Sequence, residues 1–280
     1  MLGELLKVLS FRFDDRPMGD SVYESHRVWI QCLHDYYLRV SHIGALPESV
    51  KVARREHVIL ISNHALTIEA LLINYILLLN GAGHVGTMVY REAFKLPFVR
   101  EFFRSTQCVP ISVENGVQTL RHRHILLFPE GMDFLSGLQS AEQTAPYHTG
   151  FLRMALEHMK KSRRRSMSIL PVAHAGIEKM LSFWVVKNKL FMNRFIRPFV
   201  KYPFWMIPKS PLIMPSKVVV NWGEPVRVTR AELGSERKLR NRADEFHDLI
   251  VGLRKAAELE RERSKLSASL PLRLLKDHDF

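Results

Sequence analysis

ILISNHALTIEALL, residues 59–72, sets an apolar, β-branched run directly before an Asn-His pair and a second apolar run directly after it. HVILIS (57–62) has the continuous apolar character of a central strand buried on both faces. Thr67 to Asn80 reads as a helix, with Gly81 as its stop signal. His64 therefore falls at the C-terminal end of a strand, where open α/β sheets place their ligands. Glu69 follows about one helical turn further on, close enough to reach back. A carboxylate on one imidazole nitrogen fixes the tautomer and makes the ring a general base. Taken alone, H-x4-E fits a turn-and-cap device as well as a catalytic pair.

Outward from this stretch the same alternation continues. SVYESHRVWIQCLHDYYLR (21–39) reads as a helix and Val40–Ile43 as a strand. HVGTMVY is a strand, REAFKLPFVREFFRS a helix, CVPIS a strand, ENGVQTLRH a short helix and HILLFPE a strand. After a loop over 132–148, TGFLRMALEHMKK is a helix and SILPVAHA a strand. SKVVVNW (216–222) is a last strand, and a long charged helix from ERKLRNRADEF onward is a solvated cover. Repeated β-α-β units predict an α/β fold, a largely parallel central sheet flanked by helices. The expected organisation is an N-terminal helical segment over 1–37, able to touch a membrane, an α/β domain over 38–228, and a charged helix and tail over 229–280.

The 280 residues are 46% hydrophobic and carry a net charge of +13. That charge points to an anionic partner: nucleic acid, an acidic membrane surface or a phosphate-bearing ligand. Cys32 and Cys108 have neither metal-ligand nor disulfide-framework spacing. No run is a clear membrane-crossing helix, because Gly81 and Gly83 break the longest apolar stretch. The N-terminus lacks the features of a signal peptide.

Between Glu178 and Ser216 the chain holds seven lysines and arginines and no acid. Aromatic residues interleave with them. Phe191, Phe195 and Phe199, four apart, would share one face of a helix, with Arg194, Arg197 and Lys201 toward another. With Trp184 and Trp205 they form an expected membrane contact, since rings and long basic chains suit a lipid headgroup boundary. Core packing and base stacking are the competing uses of such a segment.

LLFPEG (126–131) places a second carboxylate, Glu130, at another strand's C-terminal edge. In a parallel sheet both edges open on one side, where an exposed Glu could accept hydrogen bonds from a substrate hydroxyl. NHALTIE followed in order by LLFPEG, TGFLRMALE, ILPVAHAGIE and VVVNWGEPV resembles the glycerolipid acyltransferases of the lysophosphatidate acyltransferase superfamily, over about residues 38–228.

The resemblance implies transfer of a fatty acyl group from a thioester, acyl-CoA or acyl carrier protein, to a lipid hydroxyl. His64 would be the base and Glu69 its orienting carboxylate. Asn63, Phe128, Pro129, Glu130, Gly131 and Arg91 would contact substrate. No metal, cofactor or acyl-enzyme is needed. The implied setting is the cytoplasmic face of a membrane, with an anionic lipid surface as partner and no nucleic acid.

Two departures redirect the expected acceptor. Met132 and Asp133 stand where the family has Thr-Arg, and Val113 aligns with a second arginine. Those arginines would grip a phosphate. Their absence is more like the branch of monoacylglycerol and diacylglycerol acyltransferases, with an uncharged glyceride or other lipid alcohol as acceptor. Lysophosphatidate or another lysophospholipid is the alternative, with Arg91, Arg121 and Arg123 as substitute grips. A nucleic-acid-binding or non-catalytic membrane-surface protein would explain the charge but leaves His64, Glu69 and F-P-E-G unused. A Ser-His-acid hydrolase would need G-x-S-x-G, which is missing.

Overall fold

A computed structural model describes residues 38–51, 56–65, 68–83, 85–91, 106–131, 145–179, 183–187, 204–208 and 216–274, with 34, 94, 100 and 103 between them. The strands are β1 (Ser41–Ile43), β2 (Ile59–Ser62), β3 (Gly86–Val89), β4 (Cys108–Pro110), β5 (Ile125–Leu127), β6 (Ser166–Ala175), β7 (Phe183–Lys187), β8 (Phe204–Pro208), β9 (Val219–Trp222) and β10 (Val226–Thr229). The helices are α1 (Glu48–Lys51), α2 (Ile68–Leu79), α3 (Val113–Thr119), α4 (Gly150–Lys161) and α5 (Glu236–Leu274).

The eight-stranded sheet runs β1-β9-β6-β2-β5-β3-β4, with β10 also on β6. Strands β6, β2, β5, β3 and β4 are mutually parallel. Their C-terminal ends consequently share one edge. β9 and β10 run antiparallel to β6, and β1 runs parallel to β9.

Helices bury both faces of the sheet. Ile59 and Ile61 face a core with Phe151, Met154 and Phe246. Leu60 faces the other, with Leu72, Ile73 and Ile76 of α2. This double burial is why β2 is apolar without alternation. Gly81 sits at φ +76°, the left-handed conformation that ends α2.

Two expectations are corrected. SKVVVNW is not the last strand: β10 follows after Gly223-Glu224-Pro225, a turn that masked a four-residue strand. The long C-terminal helix is more than a solvated cover. Leu239, Ala243, Phe246, Ile250 and Ala257 are buried at alternating four- and three-residue spacings, Leu253 extending the stripe, among dense surface charges. Within the 178–215 segment, β7 and β8 pair antiparallel. Phe191, Arg194, Phe195, Arg197, Phe199 and Lys201 lie outside the described residues, as do the expected N-terminal helix apart from its last residues and most of the helix expected over 91–105.

Candidate active site

At the C-terminal edge β2 ends at Ser62, and the chain must turn into α2. The β2–β6 ladder stops at Ser62 opposite Val172, two residues short of His174. Asn63 continues it with its side chain. Its Nδ2 donates to the His174 carbonyl at 3.1 Å, and its Oδ1 accepts the His174 N–H at 2.9 Å. The amide thus replaces a peptide unit of β2 while the main chain swings away, carrying His64 outward. Asn63, expected among the substrate contacts, is 2% exposed and spends its amide on β6.

The first turn of α2 places Glu69, fully buried, beneath His64. Its Oε1 contacts His64 Nδ1 and accepts the backbone N–H of Ala65 at 3.1 Å. With Nδ1–H given to the carboxylate, the lone pair is on Nε2. His64 is partly exposed, and its ring stacks on Phe128 at 4.7 Å between centroids.

Glu130 does not stand exposed as expected. It is 3% accessible, and its Oε1 accepts the His64 backbone N–H at 3.3 Å, tying the end of β5 to the dyad loop. Burial pushes its carboxyl above the ordinary range, opposed by the His64 N–H and by the nearby charges of His64, Arg254 and His247. Its neighbour Tyr147 is buried, its phenol pushed up by burial and by the Glu130 carboxylate. Gly131 has φ +57°, and a Cβ there would come within 3.1 Å of the His148 ring. Pro129 is buried, its carbonyl accepting the His148 N–H at 2.9 Å.

Of the arginines weighed as phosphate grips, Arg91 is exposed just beyond the end of β3, at the same sheet edge as His64. Arg121 and Arg123 precede β5 and so lie at the opposite edge, where Arg123 donates to Gln107. The sheet direction removes them from the site. Sequence reasoning also missed His174, Tyr147, and the α5 residues Arg254 and His247. His174 alone carried a signal, an imidazole within the apolar run that ends its strand. Among the described residues no group of three His, Cys, Asp or Glu side chains is arranged to hold a metal.

Residues 45–175 match the family model described as Acyltransferase. Within that stretch the chain is similar to the Acyltransferase family. The matched stretch spans all five parallel strands and includes Asn63, His64, Glu69, Glu130 and His174. No curated protein matches the chain. Among solved structures it is similar to the 1-acyl-sn-glycerophosphate (LPA) acyltransferase PlsC from Thermotoga maritima, at 17% identity and a TM-score of 0.46, over 92% of this chain and 86% of that one.

Proposed function

We propose that this protein is an acyltransferase that moves a fatty acyl group from an acyl thioester, acyl-CoA or acyl carrier protein, to a hydroxyl of a lipid acceptor. The observation that carries the reading is the buried Glu69 holding His64 Nδ1 at the open edge of the sheet. His64 Nε2 takes the acceptor's hydroxyl proton as the oxygen attacks the thioester carbonyl. The C–S bond then breaks, and the departing thiolate recovers a proton from the imidazolium. Glu69 stabilises that imidazolium, and Glu130 and Asn63 hold the loop that presents it.

The proposed acceptor is an uncharged glyceride or other lipid alcohol. Met132 and Asp133 replace the Thr-Arg expected after F-P-E-G, and Arg121 and Arg123 lie at the wrong edge. Arg91, exposed at the catalytic edge, favours the second reading, a lysophospholipid acceptor whose phosphate it would meet.

The reading includes peripheral docking on an anionic membrane. No helix of the described residues is long and apolar enough to cross one. The insertion bearing β7 and β8 leaves the body at Gly176, beyond β6, and returns at Ser216, whose Oγ donates to the Gly176 carbonyl at 2.7 Å. Both ends are therefore rooted at the catalytic edge. In the β7–β8 register Trp184 pairs with Ile207 and Val186 with Trp205. Tyr90 and Ile111, 42% and 37% exposed, follow β3 and β4 at the same edge.

The test is acyl transfer by the purified protein in detergent, with labelled palmitoyl-CoA and separate pools of lysophosphatidate, lysophosphatidylcholine, monoacylglycerol and diacylglycerol. A product from a neutral glyceride that vanishes in His64→Ala is the expected result. Product from lysophosphatidate alone would keep the dyad and discard the acceptor. Equal turnover by wild type and His64→Ala would discard the dyad.

A further inference from the structure

We propose that His174 is a positioning residue for the reaction, setting where His64 stands by holding the carbonyl at which the chain leaves β2. The proposal rests on the acyl-transfer reading above.

The main chain of Asn63 departs from the sheet, so its carbonyl loses the ladder partner it would otherwise have, and a buried carbonyl requires a replacement. His174 supplies it: Nε2–H donates to the Asn63 carbonyl at 2.9 Å. With the two amide bonds of Asn63 to the His174 backbone, three hydrogen bonds join residues 111 apart in sequence. Together they fix both the position and the plane of the peptide that carries His64.

The choice of imidazole follows from its surroundings. His174 is fully buried, and burial holds it neutral. Its remaining nitrogen, Nδ1, has no hydrogen-bond partner among the described residues. A buried orphan acceptor is destabilising, so a purely structural position would favour an apolar residue. The bond from Nε2 is the use that offsets that cost. The same ring lies within electrostatic range of the Glu69 carboxylate.

The reach of the donor decides the outcome of substitution. Glutamine can extend an amide N–H to about the place of Nε2; asparagine is too short, and leucine has no donor. In His174→Asn and His174→Leu, kcat for acyl transfer should fall on the order of 10²-fold, the cost of misplacing a reacting group by about 1 Å. KM for palmitoyl-CoA should not change. His174→Gln should restore most of kcat. In parallel, ¹⁵N-histidine NMR of the folded proteins should show His64 as a single Nδ1–H tautomer in wild type and His174→Gln, and as a mixture in His174→Asn.

Wild-type kcat together with wild-type His64 resonances in His174→Asn would overturn the proposal. So would a loss that His174→Gln does not restore. If wild type transfers no acyl group to any acceptor, the functional reading fails, and the NMR comparison still decides whether His174 places His64.

Discussion

The Glu69 carboxylate holds His64 from below through Nδ1 and uses the same oxygen to accept the backbone N–H of Ala65 at 3.1 Å. One acid therefore orients the ring and closes the loop that carries it. Glu69→Gln keeps an acceptor but removes the charge opposite the imidazolium, and should lower kcat about 10²-fold with little change in KM. His64→Ala should cost about 10²–10⁴-fold, the range of general-base catalysis. Glu69→Asp shortens the reach from α2 and should lose activity despite keeping the charge. Steady-state rates of labelled-acyl transfer check all three.

Glu130 titrates in the opposite sense to a paired surface acid. Burial raises its pKa in the fold, so the folded state binds its proton more tightly than the unfolded chain. Its contribution to stability is present below the unfolded carboxylate pKa and is lost as pH rises through the folded value. Glu130→Gln keeps a carbonyl for the His64 N–H without the charge. Its melting temperature should exceed that of wild type at pH 8, and the gap should close toward pH 4.

His124 makes the far edge of the sheet acid-sensitive. Its Nδ1 accepts the Val58 N–H at 2.9 Å, and burial pushes its pKa down to about 4. The stability it lends is present above the ordinary histidine pKa and is lost as pH falls toward 4, on the order of 3 kcal/mol in all. His124→Asn, which can offer a carbonyl oxygen to Val58, should flatten the fall in urea-unfolding free energy between pH 7 and 4. An unchanged slope would remove His124 from the account.

At Gly131 the backbone is left-handed and the His148 ring lies where a Cβ would go. Gly131→Ala should destabilise the protein by about 1–2 kcal/mol. It should also lower kcat, because the turn sets Glu130 against the His64 N–H. Chemical denaturation and the transfer assay measure the two effects separately.

Membrane docking predicts sedimentation with anionic vesicles in low salt and release as salt rises. Trp184→Ser with Trp205→Ser should weaken sedimentation at all salt concentrations. Charge reversal at Arg194, Arg197 and Lys201 should weaken it mainly at low salt. Sedimentation unaffected by either set would remove the insertion from the membrane contact.

The alternation of elements was readable because each strand is short, apolar and bounded by Gly, Pro or a polar turn. Strand β10 was missed, since Val226-Arg-Val-Thr carries too few residues for a pattern after a Gly-Glu-Pro turn. The core stripe of α5 was hidden because charged residues outnumber Leu239, Ala243, Phe246, Ile250 and Ala257 around it. Arg121 and Arg123 looked equivalent to Arg91 until the direction of β5 and β3 put them at opposite edges.

The sequence by itself determined the α/β class, the strand-end placement of His64, and the reach of Glu69 back to it. All three depend on residues within about one turn or one strand of each other, where spacing sets geometry. Only the tertiary structure decided that Asn63 is a clamp, that Glu130 is buried against the dyad loop, and that His174 and the α5 face stand behind the site. These relationships join β2 to β5, β6 and α5, across separations such as the 111 residues between Asn63 and His174. No local pattern records which strands become neighbours; parallel pairing through crossover helices brings them together only when the sheet closes on its two cores.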